Sequence, residues 1–534
     1  MNERARRTAL SIAGALASAL ALGVYAQLGR FDFLLGFALL VPWLAALDGA
    51  RSWRSALAQG LLFCVAFTLC VFGWFAVAIN GYADAPAPLG WLILLLLAPL
   101  FLQPQAWIFA LVRHAARWRG AGPVRLALTS AGAWLGAEWL LPKLFADSLG
   151  HGLLPSPWLR QAADLAGVGG LTFALLLANE CVLLSVRALR AGSGRMLATP
   201  AATGLALVAA LALYGALRTR ALEREMAGAP RLTAALVQAD ISHYGALASQ
   251  VGTFDAVAAI LEAHVALSHE ALAAGPLDLL VWPETVYPTT FGAPKSADGA
   301  AFDRALAAFV AGVRVPLVFG AYEADGAREY NAALFVEPAN DGRVEFDSYR
   351  KASLFPLTER VPAWLDSPRL RERWPWLGRW EAGDGTRVLP LRLADGREIQ
   401  VAPLVCYDAT APPLAREAVR AGAELIVTLS NDSWFAEGGG PRLHLAVSAF
   451  RSLETRRSQL RATNTGISAA ILPTGEIVAQ AGVHERRAVV ATVPVVAPAP
   501  TLALMWGDWL GPAALALAAA GLALPPLPAR RASA

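Results

Sequence analysis

The chain carries two different patterns of hydrophobic residues. Up to about residue 220, long apolar runs alternate with short polar connections. A helix needs about 20 mainly apolar residues to cross the hydrocarbon core of a bilayer, so each long run predicts a transmembrane helix. Seven such segments lie near residues 8–28, 32–47, 55–79, 88–112, 124–145, 166–186 and 197–217, and an eighth lies near 502–526. They predict a multi-pass α-helical membrane bundle over residues 1–222, with a C-terminal transmembrane helix at 502–526.

The segment from 230 to 497 has shorter apolar runs, of the length of buried strands. They lie at 232–241, 278–283, 315–321, 332–337, 400–406 and 424–430. Helical patterns lie between some of them, at 255–273, 299–312, 412–421 and 441–460, and the glycines of "ADG" (394–396) and "TGE" (474–476) indicate hairpin turns. Strands that alternate with helices in this way predict an α/β domain, in which helices cover the sheets.

Composition agrees with a division into two domains in different solvents. Only 16% of the residues are charged and 56% are hydrophobic, whereas an average soluble domain has about 25% charged residues. Of the 41 acidic residues, eight lie in residues 1–217 and the other 33 follow. The net charge of +4 comes from arginines scattered between apolar segments, so the sequence gives no indication of nucleic-acid binding.

The distribution of basic residues predicts the orientation of the bundle. With a cytoplasmic N-terminus, fourteen arginines would lie on the inner side, and only Arg30, Lys143 and Arg160 in the short outer loops. The fourteen are Arg4, Arg6, Arg7, Arg51, Arg54, Arg113, Arg117, Arg119, Arg125, Arg187, Arg190, Arg195, Arg530 and Arg531. Basic residues concentrate in cytoplasmic loops. After seven crossings, the α/β domain is therefore expected outside the cytoplasm.

Three ionisable residues lie near membrane depth: Glu138, Lys143 and Glu180. Such residues are costly in hydrocarbon and often functional. A position at an interface, or pairing between helices, explains them equally well, and we assign them no role.

Cysteine usage leaves one candidate for chemistry. Four cysteines without C-x-x-C spacing predict neither a disulfide framework nor a metal site. Cys64, Cys70 and Cys181 lie in strongly apolar segments and are interpreted as packing residues. Cys406 ends the apolar run "VAPLVC" of the polar domain. A free cysteine usually behaves as a small buried hydrophobe, so a role as nucleophile needs support from other residues.

That support comes from two further residues near strand ends. Glu284 follows "LDLLVWP", and Lys351 lies in "DSYRKASLFPLTERVP". Each alone would usually be a solvated loop residue. Together with Cys406 they supply what acyl transfer through a thioester requires: a carboxylate that accepts the thiol proton, an ammonium that favours the thiolate, and charge that stabilises the oxyanion. We predict Glu284 as the base, Lys351 as the electrostatic partner and Cys406 as the nucleophile.

The stretches "VWPET", "YRKASLFPLTERVP" and "LVCYDA" resemble the Glu-Lys-Cys signature of the nitrilase superfamily, in the same chain order. The stretches "LSNDSWF" (429–435) and "FRSLETRRSQLRATNTGISAAILPTGEI" (450–477), with seven spans before the domain and one after it, are similar more narrowly to the apolipoprotein N-acyltransferase family. The resemblance implies a nitrilase-like αββα sandwich at the periplasmic side of the bacterial inner membrane.

The resemblance also implies a ping-pong reaction. A phospholipid would donate an acyl chain to Cys406 as a thioester, and the chain would pass to the free α-amine of a diacylglyceryl apolipoprotein. Ester to thioester to amide needs no cofactor and no metal. The implied partners are the phospholipid acyl donor, the apolipoprotein acceptor and the surrounding membrane lipids.

Supporting residues follow from the same resemblance. Glu359 matches a second acid that supports Lys351 or shapes the intermediate, and the backbone N–H of Tyr407 is the expected second oxyanion donor. Trp434 and Phe435 are candidates for the lipid entrance, whereas Trp282 is expected to be a packing residue.

The chain departs from the family pattern at three places. Asp408 stands where the family commonly has Glu. Leu357 and Thr358 replace Phe-Gly, and "ADISHYGALAS" lacks a tryptophan that often follows the first strand. These departures concern substrate preference more than the reaction.

Three alternatives remain at this point. A membrane-anchored nitrilase-like amidase or hydrolase would use the same triad with water as acceptor, although one anchor would suffice for it. A non-catalytic membrane receptor or scaffold would not need all three reactive residues. A cysteine protease would need a histidine, and His243, His264, His269, His444 and His484 all lie in the domain outside any recognisable protease signature.

Overall fold

The computed structural model describes residues 3–84, 86–241, 248, 251–435 and 438–525. The chain forms two compact units. One comprises Met1–Arg220 and Met505–Ala534, and the other comprises Ala221–Leu504. His243, Arg530 and Arg531, which the sequence singled out, lie outside the described residues.

The first unit is helical. Its α-helices are α1 (Glu3–Tyr25), α2 (Val41–Leu47), α3 (Trp53–Ala83), α4 (Ala87–Leu97), α5 (Pro104–Trp118), α6 (Pro123–Leu140), α7 (Ala163–Arg190) and α8 (Gly194–Ala227). Short 3₁₀ turns occupy Asp32–Phe37, Leu149–Leu153 and Leu159–Ala162, and a π turn at Ala98–Leu102 joins α4 to α5.

Helices long and apolar enough to cross a membrane occur at four of the eight predicted positions. Among the described residues, they are Thr8–Tyr25, Trp53–Ala83, Leu159–Arg190 and Met196–Ala227. The predicted segment 88–112 is a helix pair bent by 55°. Residues 32–47 and the C-terminal Leu510–Ala523 form shorter apolar helices, and α6 ends at Leu140, short of the predicted 145. The count of seven crossings therefore stays a prediction.

Several charged side chains in the first unit form ion pairs. Arg113 of α5 donates from Nε to Asp48 Oδ1 at 2.8 Å and also pairs with Glu180 of α7. Lys143 Nζ lies 3.7 Å from Glu138 Oε1. Since pairing reduces the cost of a charge at apolar depth, these ion pairs explain all three ionisable residues without a catalytic role.

Small residues let the C-terminal helix, α15 (Leu510–Ala523), approach α6 closely. A Cβ atom at Gly132 would lie 2.6 Å from Ala514 O, and one at Gly521 would lie 1.8 Å from Thr129 Oγ1. Close packing through small residues is the common way in which membrane helices associate. The last helix thus belongs to the same bundle as the first seven segments.

The second unit alternates strands with helices. Its strands are β1 (Arg231–Gln238), β2 (Leu279–Val281), β3 (Tyr287–Thr290), β4 (Leu317–Asp325), β5 (Arg328–Pro338), β6 (Val344–Arg350), β7 (Leu389–Arg392), β8 (Glu398–Val405), β9 (Leu425–Ser430), β10 (Ser458–Thr463), β11 (Ala469–Ile471), β12 (Ile477–Gln480) and β13 (Arg487–Pro494). Its helices are α9 (Thr253–Ala274), α10 (Ala297–Val313), α11 (Pro368–Arg373), α12 (Pro412–Arg420), α13 (Gly440–Thr455) and the short α14 (Leu502–Trp506).

These strands form two sheets. The first has the order β13-β1-β2-β4-β5-β6, with β3 paired to β4, and the second has the order β12-β11-β10-β9-β8-β7. In the first sheet β1, β2 and β4 are parallel, and two antiparallel steps through β5 give β6 the same direction as β4. In the second sheet β8, β9 and β10 are parallel. Parallel strands end at the same edge of a sheet, which gathers the residues that follow them.

The alternation of side chains divides the apolar residues between layers. On β1, Leu232, Ala234 and Leu236 enter the core between the two sheets, while Ala235 and Val237 enter a core shared with α9 and α10. The outer face of the second sheet packs on α12. A strand has a period of two, so each sheet buries both faces. The result is an αββα layering, as the resemblance to nitrilases implies.

One helix of this unit, α9, is apolar and long enough to be counted as a possible span. Its Val257, Ile260 and Leu261 are buried in the core that also contains Leu280 and Phe319 of the first sheet. A helix with one face in a domain core covers the sheet, in agreement with the predicted helix at 255–273.

Two sequence predictions need correction at their ends. The helix predicted at 441–460 ends at Thr455, because Arg456 adopts a left-handed conformation (φ 55°) and Ser458 begins β10. The strand predicted at 400–406 ends at Val405, one residue before the cysteine. The hairpin turns at 394–396 and 474–476 are confirmed, since they join the antiparallel pairs β7–β8 and β11–β12.

Candidate active site

Cys406 lies at the first position after β8, where the chain turns into a 3₁₀ segment, Cys406–Thr410. The residue has φ 48° and is only 8% exposed. A non-glycine residue in the left-handed region is strained, and such residues cluster at functional sites when their surroundings hold them. The backbone therefore presents this thiol from a sharp turn rather than from within a strand.

Glu284 follows β2 and is buried. Its Oε1 accepts a hydrogen bond from Asn331 Nδ2 at 2.7 Å, and its Oε2 accepts one from the backbone N–H of Asn431 at 2.8 Å. Gly320 of β4 makes room for it, because a Cβ atom there would lie 2.5 Å from Glu284 Cα. The carboxylate is thus held by one residue from each sheet.

Lys351 follows β6 and reaches the same edge of the first sheet as Glu284. Its Nζ donates to Glu284 Oε1 at 3.0 Å and to Glu359 Oε1 at 2.7 Å, and the side chain is fully buried. Glu359 Oε2 in turn accepts from the backbone N–H of Phe355 at 2.7 Å. One ammonium therefore bridges two carboxylates, and Glu359 lies where it can support Lys351.

The charges of this cluster act on the thiol. Burial raises the pKa of Cys406 well above its usual value, the negative charge of Glu284 raises it further, and Lys351 opposes them. For Lys351, burial alone would lower the pKa, but the attraction of Glu284 and Glu359 outweighs it and the pKa is raised. The resting site thus holds an ammonium at Lys351 and a protonated thiol at Cys406.

Asp408 ties the nucleophile's turn to the loop that carries Lys351. Its Oδ2 accepts from the backbone N–H of Val405 at 2.9 Å and from Tyr349 OH at 3.0 Å, and its Oδ1 accepts from the backbone N–H of Ser353 at 2.6 Å. Burial raises the pKa of Asp408 to about 6, against the opposing effect of Lys351 and these hydrogen bonds. Asp408 is a buried structural acid beside the site.

Aromatic side chains cluster around Tyr407, the residue after Cys406. Phe355 stands edge-on to Tyr407 and to Trp434, at centroid distances of 5.1 and 5.2 Å, and Trp434 contacts Phe435 at 4.4 Å. Trp434 is half-buried and Phe435 is buried. Burial raises the pKa of the Tyr407 phenol to about 12, so that it stays protonated. The aromatic rings pack on one another, and a lipid-binding role for Trp434 and Phe435 stays a prediction.

Trp282 is a packing residue, as expected from its sequence position. It is fully buried, donates from Nε1 to Ser268 Oγ at 2.9 Å and stacks on Phe309 of α10.

The structure brings in residues to which the sequence assigned no role. His444 of α13 directs Nε2 to the carbonyl oxygen of Cys406 at 3.2 Å, and Nδ1 to Asp432 Oδ1 at 3.0 Å. Asp432, which follows β9, also accepts from Arg461 Nη2 of β10 at 2.9 Å. Arg461 and then His444 hold the pKa of Asp432 far below its usual value, against the effect of burial.

A sequence signal for this group existed. Asp432 follows a buried strand in the same way as Cys406, so the parallel pairing of β8 and β9 predicts their proximity. Nothing in the sequence places a helix residue such as His444 against the end of β8, because that contact depends on how α13 packs.

The other histidines that a protease would require lie elsewhere, as far as the described residues extend. His264 is buried in α9, with Nδ1 2.8 Å from Ile260 O, and His269 packs edge-on against Phe309. His484 pairs with Asp240 at 3.3 Å.

Cys406, Asp432 and His444 offer a thiolate, a carboxylate oxygen and an imidazole nitrogen within 4.8 Å of one another, a separation that suits a metal ion. Their other contacts do not suit one. Asp432 is already neutralised by the fully buried Arg461, and the His444 ring is bonded at both nitrogens. A cation there would lie beside this guanidinium, so we assign no metal to the trio.

Comparison with known proteins follows the division into two units. A family model described as apolipoprotein N-acyltransferase N-terminal domain matches residues 17–181, and one described as carbon-nitrogen hydrolase matches residues 233–499. The second match supports the nitrilase-like fold of the α/β unit and contains every residue of the candidate site.

Relatives match over most of the chain. A Caulobacter vibrioides protein named apolipoprotein N-acyltransferase is 30% identical over 521 residues, which cover 91% of this chain and 88% of the relative. A Pseudomonas putida protein of the same name is 33% identical and covers 76% of each chain. Among solved structures, Saccharomyces cerevisiae Nit3, a member of the nitrilase superfamily, aligns with 49% of this chain and 90% of its own, at 18% identity and a TM-score of 0.33.

Proposed function

This chain belongs to the apolipoprotein N-acyltransferase family, and from that premise we propose that it transfers a fatty acyl chain from a membrane phospholipid to the α-amine of a diacylglyceryl apolipoprotein. The transfer would run in two steps through a thioester on Cys406. The observation that carries the proposal is the buried Lys351 ammonium, which bridges Glu284 and Glu359 beside this thiol.

In the first step, Glu284 takes the thiol proton as the sulfur attacks the carbonyl carbon of the phospholipid ester. The resulting oxyanion is stabilised by Lys351 and by the backbone N–H of Tyr407. When the tetrahedral intermediate collapses, the bond to the glycerol oxygen breaks, and that oxygen takes the proton from Glu284. Lysophospholipid leaves, and the acyl chain remains on sulfur.

In the second step, the neutral α-amine of the apolipoprotein attacks the thioester carbonyl. Glu284 accepts a proton from the nitrogen, the C–S bond breaks, and the thiolate recovers a proton from Glu284. The product is an amide, which is more stable than the thioester. The site returns to its resting protonation state, and no co-reactant is consumed.

The hydrogen bonds of Glu284 suit this use as a base. Its Oε1 is engaged by Lys351 and Asn331, whereas Oε2 accepts one hydrogen bond from the described residues, that of Asn431 N–H. Because a carboxylate oxygen has two acceptor positions, Oε2 retains one for the thiol proton. The raised pKa of Cys406 gives the base a function, since the thiol does not ionise on its own at neutral pH.

The family and the apolar helices indicate a membrane protein. We place it in the bacterial inner membrane with the catalytic unit on the periplasmic side, because the arginines of the loops between apolar segments would then lie in the cytoplasm. Both substrates are lipids with their polar ends in the membrane interface. Apolar helices precede and follow the catalytic unit along the chain.

Mass spectrometry of the Cys406 peptide tests the thioester. After incubation of the purified protein with phospholipid, we expect a mass increase of one acyl chain that hydroxylamine removes. The variant Cys406→Ala should show none and should transfer no acyl chain, whereas Cys70→Ala, a matched change in the membrane unit, should behave as wild type. Full acyl transfer by Cys406→Ala would refute the mechanism.

An experiment in cells distinguishes acyl transfer to an apolipoprotein from hydrolysis. If the acceptor is an apolipoprotein amine, depletion of the protein should cause lipoproteins with diacylated N-termini and a free amine to accumulate. Triacylated N-termini at their normal level after depletion would instead favour a hydrolase that passes the acyl chain to water.

A further inference from the structure

The carbonyl group of the nucleophile has a partner that the proposed mechanism does not use. His444 Nε2 lies 3.2 Å from Cys406 O, and the opposite side of the ring contacts Asp432 Oδ1 at 3.0 Å. Asp432 is fixed by the fully buried Arg461. A chain of three polar side chains thus ends on one backbone oxygen.

The direction of the hydrogen bond follows from its acceptor. A carbonyl oxygen only accepts, so His444 Nε2 must carry the proton. Nδ1 either donates to Asp432 or, in the neutral ring, accepts from Arg461 Nη2, which lies 3.0 Å away. In both states the same Nε2–H donates to Cys406 O.

This bond controls more than the carbonyl group. Cys406 O and the Tyr407 N–H belong to one planar trans peptide unit and point in opposite directions. A donor that holds the oxygen therefore also fixes the direction of the N–H. That N–H is the second oxyanion donor of the proposed mechanism, and it follows a residue with the strained φ of 48°.

We propose that His444, held by Asp432 and Arg461, is a positioning residue that orients the Cys406–Tyr407 peptide so that the Tyr407 N–H meets the oxyanion. The inference rests on the proposed function, since it concerns an oxyanion that only acyl transfer creates. His444 itself touches no reacting atom in this role. It acts through the peptide unit.

The alternative role for a histidine near a thiol is that of general base. The His444 ring makes its hydrogen bonds to Cys406 O and Asp432, and Nε2 already carries a proton in either protonation state. A base would need a free lone pair directed at the sulfur, so the geometry favours positioning.

The test compares two reactions of the same thiol. Acylation by phospholipid passes through an oxyanion, whereas alkylation by iodoacetamide is a direct displacement at carbon and does not. The variant His444→Phe keeps a planar ring of similar size but has no donor. We expect its rate constant for thioester formation, measured in a single turnover per folded protein, to fall about ten- to a hundredfold, while the alkylation rate of Cys406 stays within about twofold of wild type.

A donor restored at the same place should rescue the reaction. In His444→Gln, the side-chain amide can donate to Cys406 O, and we expect thioester formation within about fivefold of wild type. His444→Leu, a second variant without a donor, should match His444→Phe. His269→Leu, an exposed histidine of α9 that contacts Phe309, should leave both reactions unchanged.

The outcomes separate this inference from the function on which it rests. If wild type forms no thioester, the proposed function fails. If wild type forms it and His444→Phe does so at the same rate, or if His444→Gln is as slow as His444→Phe, the positioning role is refuted and the function stands. Equal losses of acylation and alkylation would mean that His444 only maintains the fold, which also overturns the inference.

Discussion

The reactivity of Cys406 depends on the charges buried beside it. Burial and Glu284 raise the pKa of its thiol, and Lys351 lowers it. We therefore expect iodoacetamide to alkylate Cys406 at pH 7.5 more slowly than it alkylates glutathione, with a rate that increases into the alkaline range. Glu284→Gln removes a negative charge, lowers the pKa of the thiol and should increase the alkylation rate several-fold while it abolishes acyl transfer.

The opposite change supplies the control for this prediction. Lys351→Met removes the positive charge at similar volume and should slow alkylation below the wild-type rate. Mass spectrometry of the Cys406 peptide between pH 6 and 10 measures both variants. If Glu284→Gln is alkylated at the wild-type rate, then the charge of Glu284 does not affect the pKa of the Cys406 thiol.

Asp408 lies two residues after the nucleophile and stands where the family commonly has Glu. Three donors point at its two oxygens, from Val405, Tyr349 and Ser353. Asp408→Asn would turn an amide NH₂ towards at least one of them, and a buried donor left without an acceptor costs about 1–3 kcal/mol. We expect a lower melting temperature in detergent and slower thioester formation, with the exposed Asp384→Asn unchanged.

The same residue gives the stability of the protein a pH dependence. The pKa of Asp408 is raised from 3.8 to about 6 in the folded protein, so the folded state binds the proton more tightly than the unfolded state does. Its contribution to stability is therefore present below pH of about 4 and is lost as the pH rises through about 6. The difference in melting temperature between wild type and Asp408→Asn should shrink over this range. A constant difference would show that burial does not shift this carboxyl group.

The sequence could predict catalytic residues only where strand ends determine their location. Glu284, Lys351 and Cys406 follow β2, β6 and β8, and the direction of these strands brings the first two to one edge. The functional roles of these residues stay predictions. His444 and Asn331 were missed because one comes from a helix face and the other from the middle of β5, and tertiary packing alone decides what such residues contact.

At the scale of elements, β4 approaches the turn after β2 closely. A methyl group at position 320 would lie 2.5 Å from both Glu284 Cα and Thr285 N. Gly320→Ala must therefore displace Glu284 from Lys351, and overpacking of this kind costs about 1–3 kcal/mol. We expect thioester formation to fall at least tenfold and the melting temperature to decrease.

Another glycine in the same unit is the matched control. Gly312 lies in α10, and a Cβ atom added there would meet no neighbour within 4 Å in the described part of the chain, apart from the backbone of its own helix. Gly312→Ala should therefore keep full activity and gain a little helix stability. If Gly320→Ala forms the thioester at the wild-type rate, then displacement of the turn that carries Glu284 does not affect acylation.

Elements with a strong periodicity were predictable, and those defined by pairing were not. The strands at 232–241 and 424–430 are continuous apolar runs and occur within three residues of β1 and β9. In contrast, β10 carries Ser458, Gln459, Arg461 and Thr463, all buried and polar. In the sequence, the pattern of polar and apolar residues in β10 cannot be distinguished from that of the preceding helix. The segment is a strand because it is hydrogen-bonded to β9. This is why the helix at 441–460 was predicted too long.

At the scale of the whole molecule, composition was the most informative signal. The uneven distribution of acidic residues separates a bundle that is poor in acidic residues from a domain with ordinary surface charge, because each is adapted to its own solvent. The number of crossings could not be fixed in this way. Residues 32–47 and 124–145 are apolar enough to suggest spans, yet their helices are short or end early.

The orientation of the catalytic unit can be tested without knowing that number. The short connection between α7 and α8 contains Ala191 and follows Arg187 and Arg190 at the end of α7. It is separated along the chain from the catalytic unit, which contains Asp384, by one long apolar helix, Met196–Ala227. If α8 crosses the membrane, the two must lie on opposite sides whatever the segments before them do. In protein whose four native cysteines have been replaced, Asp384→Cys should react with a membrane-impermeant maleimide in intact spheroplasts, and Ala191→Cys should react only after lysis.

The reverse labelling would place the catalytic unit in the cytoplasm, where a periplasmic reaction on lipoproteins is excluded. Labelling of both in intact spheroplasts would show that α8 does not cross. The prediction therefore depends on one helix and on the preference of arginine for the cytoplasmic face.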